Sequence, residues 1–160
     1  MNLEPFKQTA IEAARKSATI LQSRFGKISR IRKKENAEIV TEADTQSEEV
    51  IISTIQADFP DHAVLGEECG LIVGASEYKW IVDPLDGTVN FAHQIPIFSI
   101  SIALAVGDTI VLGIVLDPTN DELYSAVSGQ GAQLNGQPIQ VSATRTIAKS
   151  LLVTGFPYNV

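Results

Sequence analysis

Cysteine is almost missing from this chain: Cys69 is the only one in 160 residues. A single thiol excludes an intramolecular disulfide and a cysteine-built zinc site. Although it follows Glu67 and Glu68, the expectation for it is an inert thiol rather than a reactive one. Positive charge is also in deficit, with 12 Lys+Arg against 19 Asp+Glu and a net charge of −7. That balance disfavours a general nucleic-acid binder, because phosphate contacts need clustered cations. The small basic group Arg30, Arg32, Lys33 and Lys34 reads first as a solvated loop and second as local steering for an anionic substrate. No apolar run approaches membrane-helix length and the N-terminus has no signal-peptide core, so a cytoplasmic protein without a membrane partner is expected. Internal repeats, low-complexity tracts and Gly/Ser linkers are absent as well.

What is present is a globular composition, 44% hydrophobic and 19% charged, over a length that favours one core. Leu3, Phe6, Ala10, Ala14, Ala18, Leu21 and Phe25 recur at helical spacing, with Asn2 able to cap the start and Gly26 the end. An extended or hairpin stretch over residues 28–40 follows, and then a second amphipathic helix built on Val50, Ile51, Ile55 and Phe59, stopped by Pro60. Asp44 precedes that helix and suits the N-cap role.

Residues 63–66 read as a short buried strand ending at Glu67-Glu68, and residues 78–82 as another ending in Asp83. In residues 97–106 the even positions are bulky and apolar while Ser99, Ser101, Ala103 and Ala105 are small, which predicts a strand covered on both sides. Further strands are expected over 109–116 and 122–127, and Asn135-Gly136 is a two-residue hairpin signal. An antiparallel meander with helices packed on it gives an α+β, layered domain. Residues 150–157 look like one more strand with nothing after it to cover it, the mark of an unfinished second domain. The expected division is therefore 1–147, an α+β domain, and 148–160, the first strand of an incomplete C-terminal α/β domain.

The chemistry concentrates in the stretch from Trp80 to Phe91, where an apolar run delivers Asp83 and Asp86 and is followed by Gly87 and Thr88. Such an order suits joint binding of a divalent cation and a phosphate. Carboxylates supply hard oxygen ligands, glycine allows close backbone approach, and N–H groups at a helix start face anions. A strand ending in an ordinary Pro-Asp-Gly-type turn is the plainer alternative. If the strands ending at Glu67 and Asp83 lie side by side, Glu67, Asp83 and Asp86 converge. Three carboxylates would not all stay ionised without a compensating cation, for which Mg²⁺ is the physiological candidate.

Taken together, Gly66-Glu67-Glu68 and Asp83-Pro84-Leu85-Asp86-Gly87-Thr88-Val89-Asn90-Phe91 resemble the paired signature of the inositol monophosphatase family of Mg²⁺-dependent, Li⁺-sensitive phosphatases. The likeness extends upstream to Val40-Thr41-Glu42-Ala43-Asp44 and downstream to Glu122-Leu123-Tyr124, Gly129-Gln130-Gly131-Ala132 and Leu134-Asn135-Gly136. It implies a sugar phosphatase fold, two or three Mg²⁺ ions, a homodimer, and hydrolysis of a small phosphate monoester, myo-inositol monophosphate first among them. Glu67, Asp83 and the Leu85 carbonyl would hold one Mg²⁺, and Asp83 with Asp86 a second. Gly87 and Thr88 N–H groups would bind the phosphate, while Thr88 and Asp44 would orient and deprotonate the attacking water. Glu68 would support the ligands from behind, and Lys33 falls near the family's flap lysine. Two cations can activate water on one side and stabilise the leaving oxygen on the other.

The resemblance also implies a later Trp-Asp motif in a C-terminal α/β domain, and these 160 residues hold no match to it. The second metal site is then one carboxylate short and the sequence is expected to be a fragment. The alternatives at this point are a fructose-1,6-bisphosphatase or nucleotide 3′-phosphatase of the same superfamily, and a non-catalytic scaffold that binds metal or phosphate.

Overall fold

In the computed structural model the described residues are 2–27, 31–33 and 39–154, with the side chains of 31–33 and 39–40 outside the description. Helix α1 covers Glu4–Arg24 and buries Ala10, Ala13, Ala14, Ala18 and Leu21 along one side, as the spacing requires. The boundary residue is Leu3, yet the Asn2 side chain accepts from the Glu4 N–H at 3.1 Å and so serves the helix start from one position further out. The run of alanines lets α2, Glu42–Asp58, pack closely against α1, and Phe59 ends α2 just before Pro60. Strands β1 (Ile31–Lys33) and β2 (Ile39–Thr41) pair antiparallel and lead into α2.

Eight further strands make one sheet: β3 (Ala63–Gly66), β4 (Gly70–Ile72), β5 (Tyr78–Asp86), β6 (Ser99–Val106), β7 (Thr109–Asp117), β8 (Glu122–Val127), β9 (Gly131–Leu134) and β10 (Gln137–Ile139), in the order β10-β9-β8-β7-β6-β5-β3-β4. From β5 to β10 the expected antiparallel meander holds. The turn after β9 is the predicted one, with Leu134 opposite Gln137 and positive φ at both Asn135 (49°) and Gly136 (79°). Beyond β5 the sheet departs from the antiparallel expectation and becomes mixed. The chain leaves β3, returns along the edge as β4, and re-enters as β5 in the same direction as β3.

Both long helices cover one face of this sheet. On that face Trp80, Ile100, Ile102, Leu104, Leu112, Ile114 and Leu116 are fully buried together with Leu21, Ile51 and Ile55. Each contributes about 1.5–3 kcal/mol through apolar burial. The opposite face carries the small residues Ser99, Ser101, Ala103, Gly113 and Ala126, none of them buried. Among the described residues, then, β6 is covered on one side, whereas the sequence pattern predicts both. The strand expected over residues 150–157 is a second departure: 151–154 form no strand, and Leu151, Leu152 and Val153 are 99%, 70% and 97% exposed. A strand needs a neighbour for its backbone groups, and the described residues offer none there; residues 155–160 lie outside them.

An aromatic cluster closes the far end of the helix layer. The His62 ring stacks on Phe59 at 4.8 Å and on Tyr78 at 4.6 Å, and its Nδ1 accepts from the Trp80 indole N–H at 3.0 Å. Burial lowers its pKa below the ordinary 6.5, with Asp61 opposing the shift. A depressed histidine contributes stability in full above the unfolded value of 6.5 and loses it as pH falls through the folded value. Thermal unfolding at pH 5 should therefore give a lower midpoint than at pH 7.5, and His62→Gln should narrow that gap; an unchanged gap in the variant would contradict the assignment.

Candidate metal and phosphate site

Strand register decides where the acidic groups go. Gly66 of β3 lies opposite Val82 of β5 in the parallel pair, so Glu67 and Asp83 follow side by side at the strand ends. The Glu67 N–H continues the ladder by donating to the Val82 carbonyl at 3.1 Å. The Asp83 and Glu67 carboxyls are near enough to share a hydrogen bond, which two such groups make only with a proton between them, and Asp83 Oδ1 accepts from the Leu85 N–H at 3.1 Å.

In an unbroken strand, residues three apart point to opposite faces. Asp83 pairs with Ser101 and Asp86 with Ser99, however, so three steps on β5 answer two on β6. This one-residue bulge turns both aspartates to the same side. Burial pushes the Asp83 carboxyl above its ordinary range, and Asp86 and Asp44 push it the same way against the opposing contacts from Glu67 and the Leu85 N–H. The anionic form of Asp83 is therefore disfavoured unless a positive charge stands near it, and the side-chain acceptors around it are carboxylate oxygens. That chemistry fits a hard divalent cation.

A second arm comes from α2. Its N-cap is Thr41, not Asp44: Asp44 is the N3 residue of a capping box, with Oδ2 accepting from Thr41 N–H at 2.9 Å and from Thr41 Oγ1 at 2.6 Å. The correction frees Oδ1 to face the site, where Thr88 Oγ1 approaches at 3.0 Å. Thr88 Oγ1 also lies 3.0 Å from the Leu85 carbonyl. One hydroxyl proton thus serves two acceptors, and any ligand drawn to the Leu85 carbonyl would leave that proton to Asp44.

Gly87 makes the turn between these parts. Its φ is +97°, and a Cβ there would come within 3.0 Å of the Ile97 carbonyl. From it begins the short helix α3, Thr88–Ala92, which has no side-chain N-cap bond. Asn90 fastens α3 by donating to the Ile97 carbonyl at 2.8 Å.

Glu67, Asp83, Leu85 and Asp86 are thus gathered at the ends of β3 and β5, with Gly87, Thr88 and Asp44 beside them. They do not form a closed cage: among the described residues no three His, Cys, Asp or Glu side chains group tightly enough to hold a metal ion by themselves. Glu68 is half-buried and gives its N–H to Glu48. Lys33 falls on β1, but its side chain lies outside the described residues, as do Arg30 and Lys34. The sequence reading missed Thr41, Ser47 and Glu48. Ser47 Oγ donates to the Pro84 carbonyl at 2.9 Å and Glu48 accepts from two backbone N–H groups, both from buried positions on α2. The available signal was Glu48 itself, a charge one helical turn after Asp44 on a stripe that continues through Ile51 and Ile55.

Residues 2–160 match the sequence model of the inositol monophosphatase family. An inositol-1-monophosphatase from Synechocystis is 42% identical over 99% of this chain and 56% of its own length. The Nus factor SuhB of Pasteurella multocida is 38% identical over 98% of this chain and 60% of its own. Among solved structures, the inositol monophosphatase of Anabaena superposes with a TM-score of 0.86 at 40% identity, covering 99% of this chain and 57% of that one. The mixed sheet with its flanking helices is the fold of these relatives, and the chain belongs to the inositol monophosphatase family. It spans 56–60% of the length of these curated relatives.

Gly87→Ala tests the turn directly. With φ at +97° and a backbone oxygen 3.0 Å from the new Cβ, it should cost about 1–3 kcal/mol in urea unfolding. An unchanged urea midpoint would mean that the turn tolerates a side chain.

Proposed function

We propose that this protein is the part of a Mg²⁺-dependent phosphate monoesterase that supplies its metal and phosphate floor, with myo-inositol monophosphate as the expected substrate. The observation that carries the reading is the placement of Glu67, Asp83 and Asp86 at two adjoining strand ends by the β3–β5 register and the β5 bulge, with the Thr88–Asp44 contact beside them. Glu67, Asp83 and the Leu85 carbonyl would hold one cation, and Asp83 with Asp86 a second. When bound, Mg²⁺ supplies Lewis-acid polarisation and charge neutralisation. Thr88 Oγ would accept a water's hydrogen bond while donating its own proton to Asp44 Oδ1, which orients the water and gives its proton a place to go. Asp44 Oδ2, held by both donors of Thr41, keeps that carboxylate aimed. The Gly87 and Thr88 N–H groups at the start of α3 would hold phosphoryl oxygens.

On this reading the boundary near residue 147 separates the floor from a second domain, which would cover the open sheet face and take up the exposed 151–153 segment. A homodimer, Li⁺ inhibition and a cytoplasmic setting belong to the same proposal; among the described residues no helix is long and apolar enough to cross a membrane. One observation favours a second, non-catalytic reading for the 160 residues by themselves. They span 56–60% of those relatives, and the further aspartate that the resemblance implies for the second cation is not among them.

Inositol phosphate hydrolysis with and without Mg²⁺ decides between the readings. We expect Mg²⁺-dependent turnover, inhibited by Li⁺, from the protein carrying both domains, and far lower turnover from residues 1–160. No turnover on any phosphomonoester would refute the enzyme reading. Full turnover from a mass-verified 1–160 product would refute the assignment of the missing carboxylate. Asp86→Asn should shift the Mg²⁺ concentration needed for half-maximal rate upward by about tenfold or more with the fold intact; an unchanged Mg²⁺ profile would remove Asp86 from the ligand set.

A further inference from the structure

Glu48 is 3% exposed and carries a carboxylate into the middle of the α2–sheet contact. Its two oxygens are spent on two consecutive backbone donors: Oε1 accepts from the Glu68 N–H at 2.9 Å and Oε2 from the Cys69 N–H at 2.9 Å. These are the turn residues between β3 and β4, immediately after Glu67. Charge-assisted bonds to paired N–H groups are among the stronger hydrogen bonds, and they fix a plane as well as a distance.

The fit is close from the other side too. A Cβ on Gly66 would stand 2.3 Å from Glu48 Oε1 and 2.7 Å from Cys69 Sγ. Gly66 therefore makes room for this carboxylate beneath the strand end, and the glycine of Gly66-Glu67-Glu68 has a physical reason that its backbone angle does not provide. One helical turn earlier, Asp44 holds Thr88; between them, Ser47 holds the Pro84 carbonyl. Three polar residues on one face of α2 thus tie down the two strand ends that carry the candidate ligands.

We propose that Glu48 is a positioning residue for Glu67: through the Glu68 and Cys69 N–H groups it holds the β3–β4 turn so that the Glu67 carboxylate meets Asp83. This rests on the metal-site reading above and adds to it a residue outside the ligand set. The plain alternative is that Glu48 only satisfies two turn amides and matters to stability alone. The two differ in what Glu48→Gln should do. Glutamine keeps the shape and one acceptor oxygen but turns an NH₂ group toward the second amide, so the turn loosens while the helix face remains filled.

The test combines two readouts on wild type, Glu48→Gln and Gly66→Ala, the last displacing the same carboxylate from the opposite side. Amide hydrogen exchange without metal should rise at Glu68 and Cys69 in both variants. Mg²⁺ titrated by calorimetry should bind about 10–100-fold more weakly in both, the range typical when a partner behind a metal ligand is lost. In the two-domain protein, saturating Mg²⁺ should restore most of the kcat of Glu48→Gln without a change in KM for the phosphate ester. Faster exchange with unchanged Mg²⁺ affinity would overturn the positioning role and leave a structural one. Unchanged exchange at both amides would overturn the proposal outright. A wild-type protein that takes up no Mg²⁺ would overturn the metal-site reading and this one together, whereas Mg²⁺ uptake equal in all three proteins would overturn this one alone.

Discussion

The parallel pairing of β3 with β5 is the constraint on which the rest of the site depends. Gly66 opposite Val82 sets Glu67 beside Asp83, two acidic groups sixteen positions apart in sequence that no local motif would bring together. A one-residue slip would send each of these side chains to the other face of the sheet and bury carboxylates in the layer filled by Trp80, Ile100 and Ile51. The apolar core therefore enforces the register, and the register assembles the acids. The bulge between Asp83 and Asp86 completes the arrangement by adding Asp86 to the side already chosen.

Helix α2 is the second half of the device. Its buried face is partly polar where a purely structural helix would be apolar: Asp44, Ser47 and Glu48 all lie inside it. Each reaches a different part of the strand-end region, at Thr88, the Pro84 carbonyl, and the Glu68 and Cys69 amides. Burying such groups is costly unless every donor and acceptor is matched, and among the described residues no buried side-chain nitrogen or oxygen lacks a partner. The result is a set of polar contacts that holds the strand ends in position, with the Asp83 carboxyl there pushed above its ordinary range by burial.

Much of this was legible in the residues. Period-two alternation in β6, the Asn-Gly turn before β10 and the helical spacing of α1 are local signals, and local signals survive folding intact. The limits of β3 and β8 coincide with the apolar runs that announce them. What sequence could not supply was direction. Whether β5 runs parallel or antiparallel to β3 depends on the return path through β4, whose three residues carry no period of their own. Asp44 was legible as a helix-start acid but assigned the wrong position, because Thr41 and Asp44 are both acceptable caps and only the reciprocal hydrogen bonds choose between them. Glu48 stands out in the sequence only as a charge on the apolar stripe of α2; its partners are backbone amides, which leave no mark there. The small residues of β6 predict a neighbour on the open sheet face, and no described residue takes that place.

The central claim is that the ends of β3 and β5 form a divalent-cation site through Glu67 and Asp83 together. Anomalous diffraction from crystals grown with Mn²⁺ in place of Mg²⁺ tests it most directly. The account predicts a peak within bonding distance of both carboxylates and the Leu85 carbonyl. No peak there, or one bound by neither Glu67 nor Asp83, would contradict it.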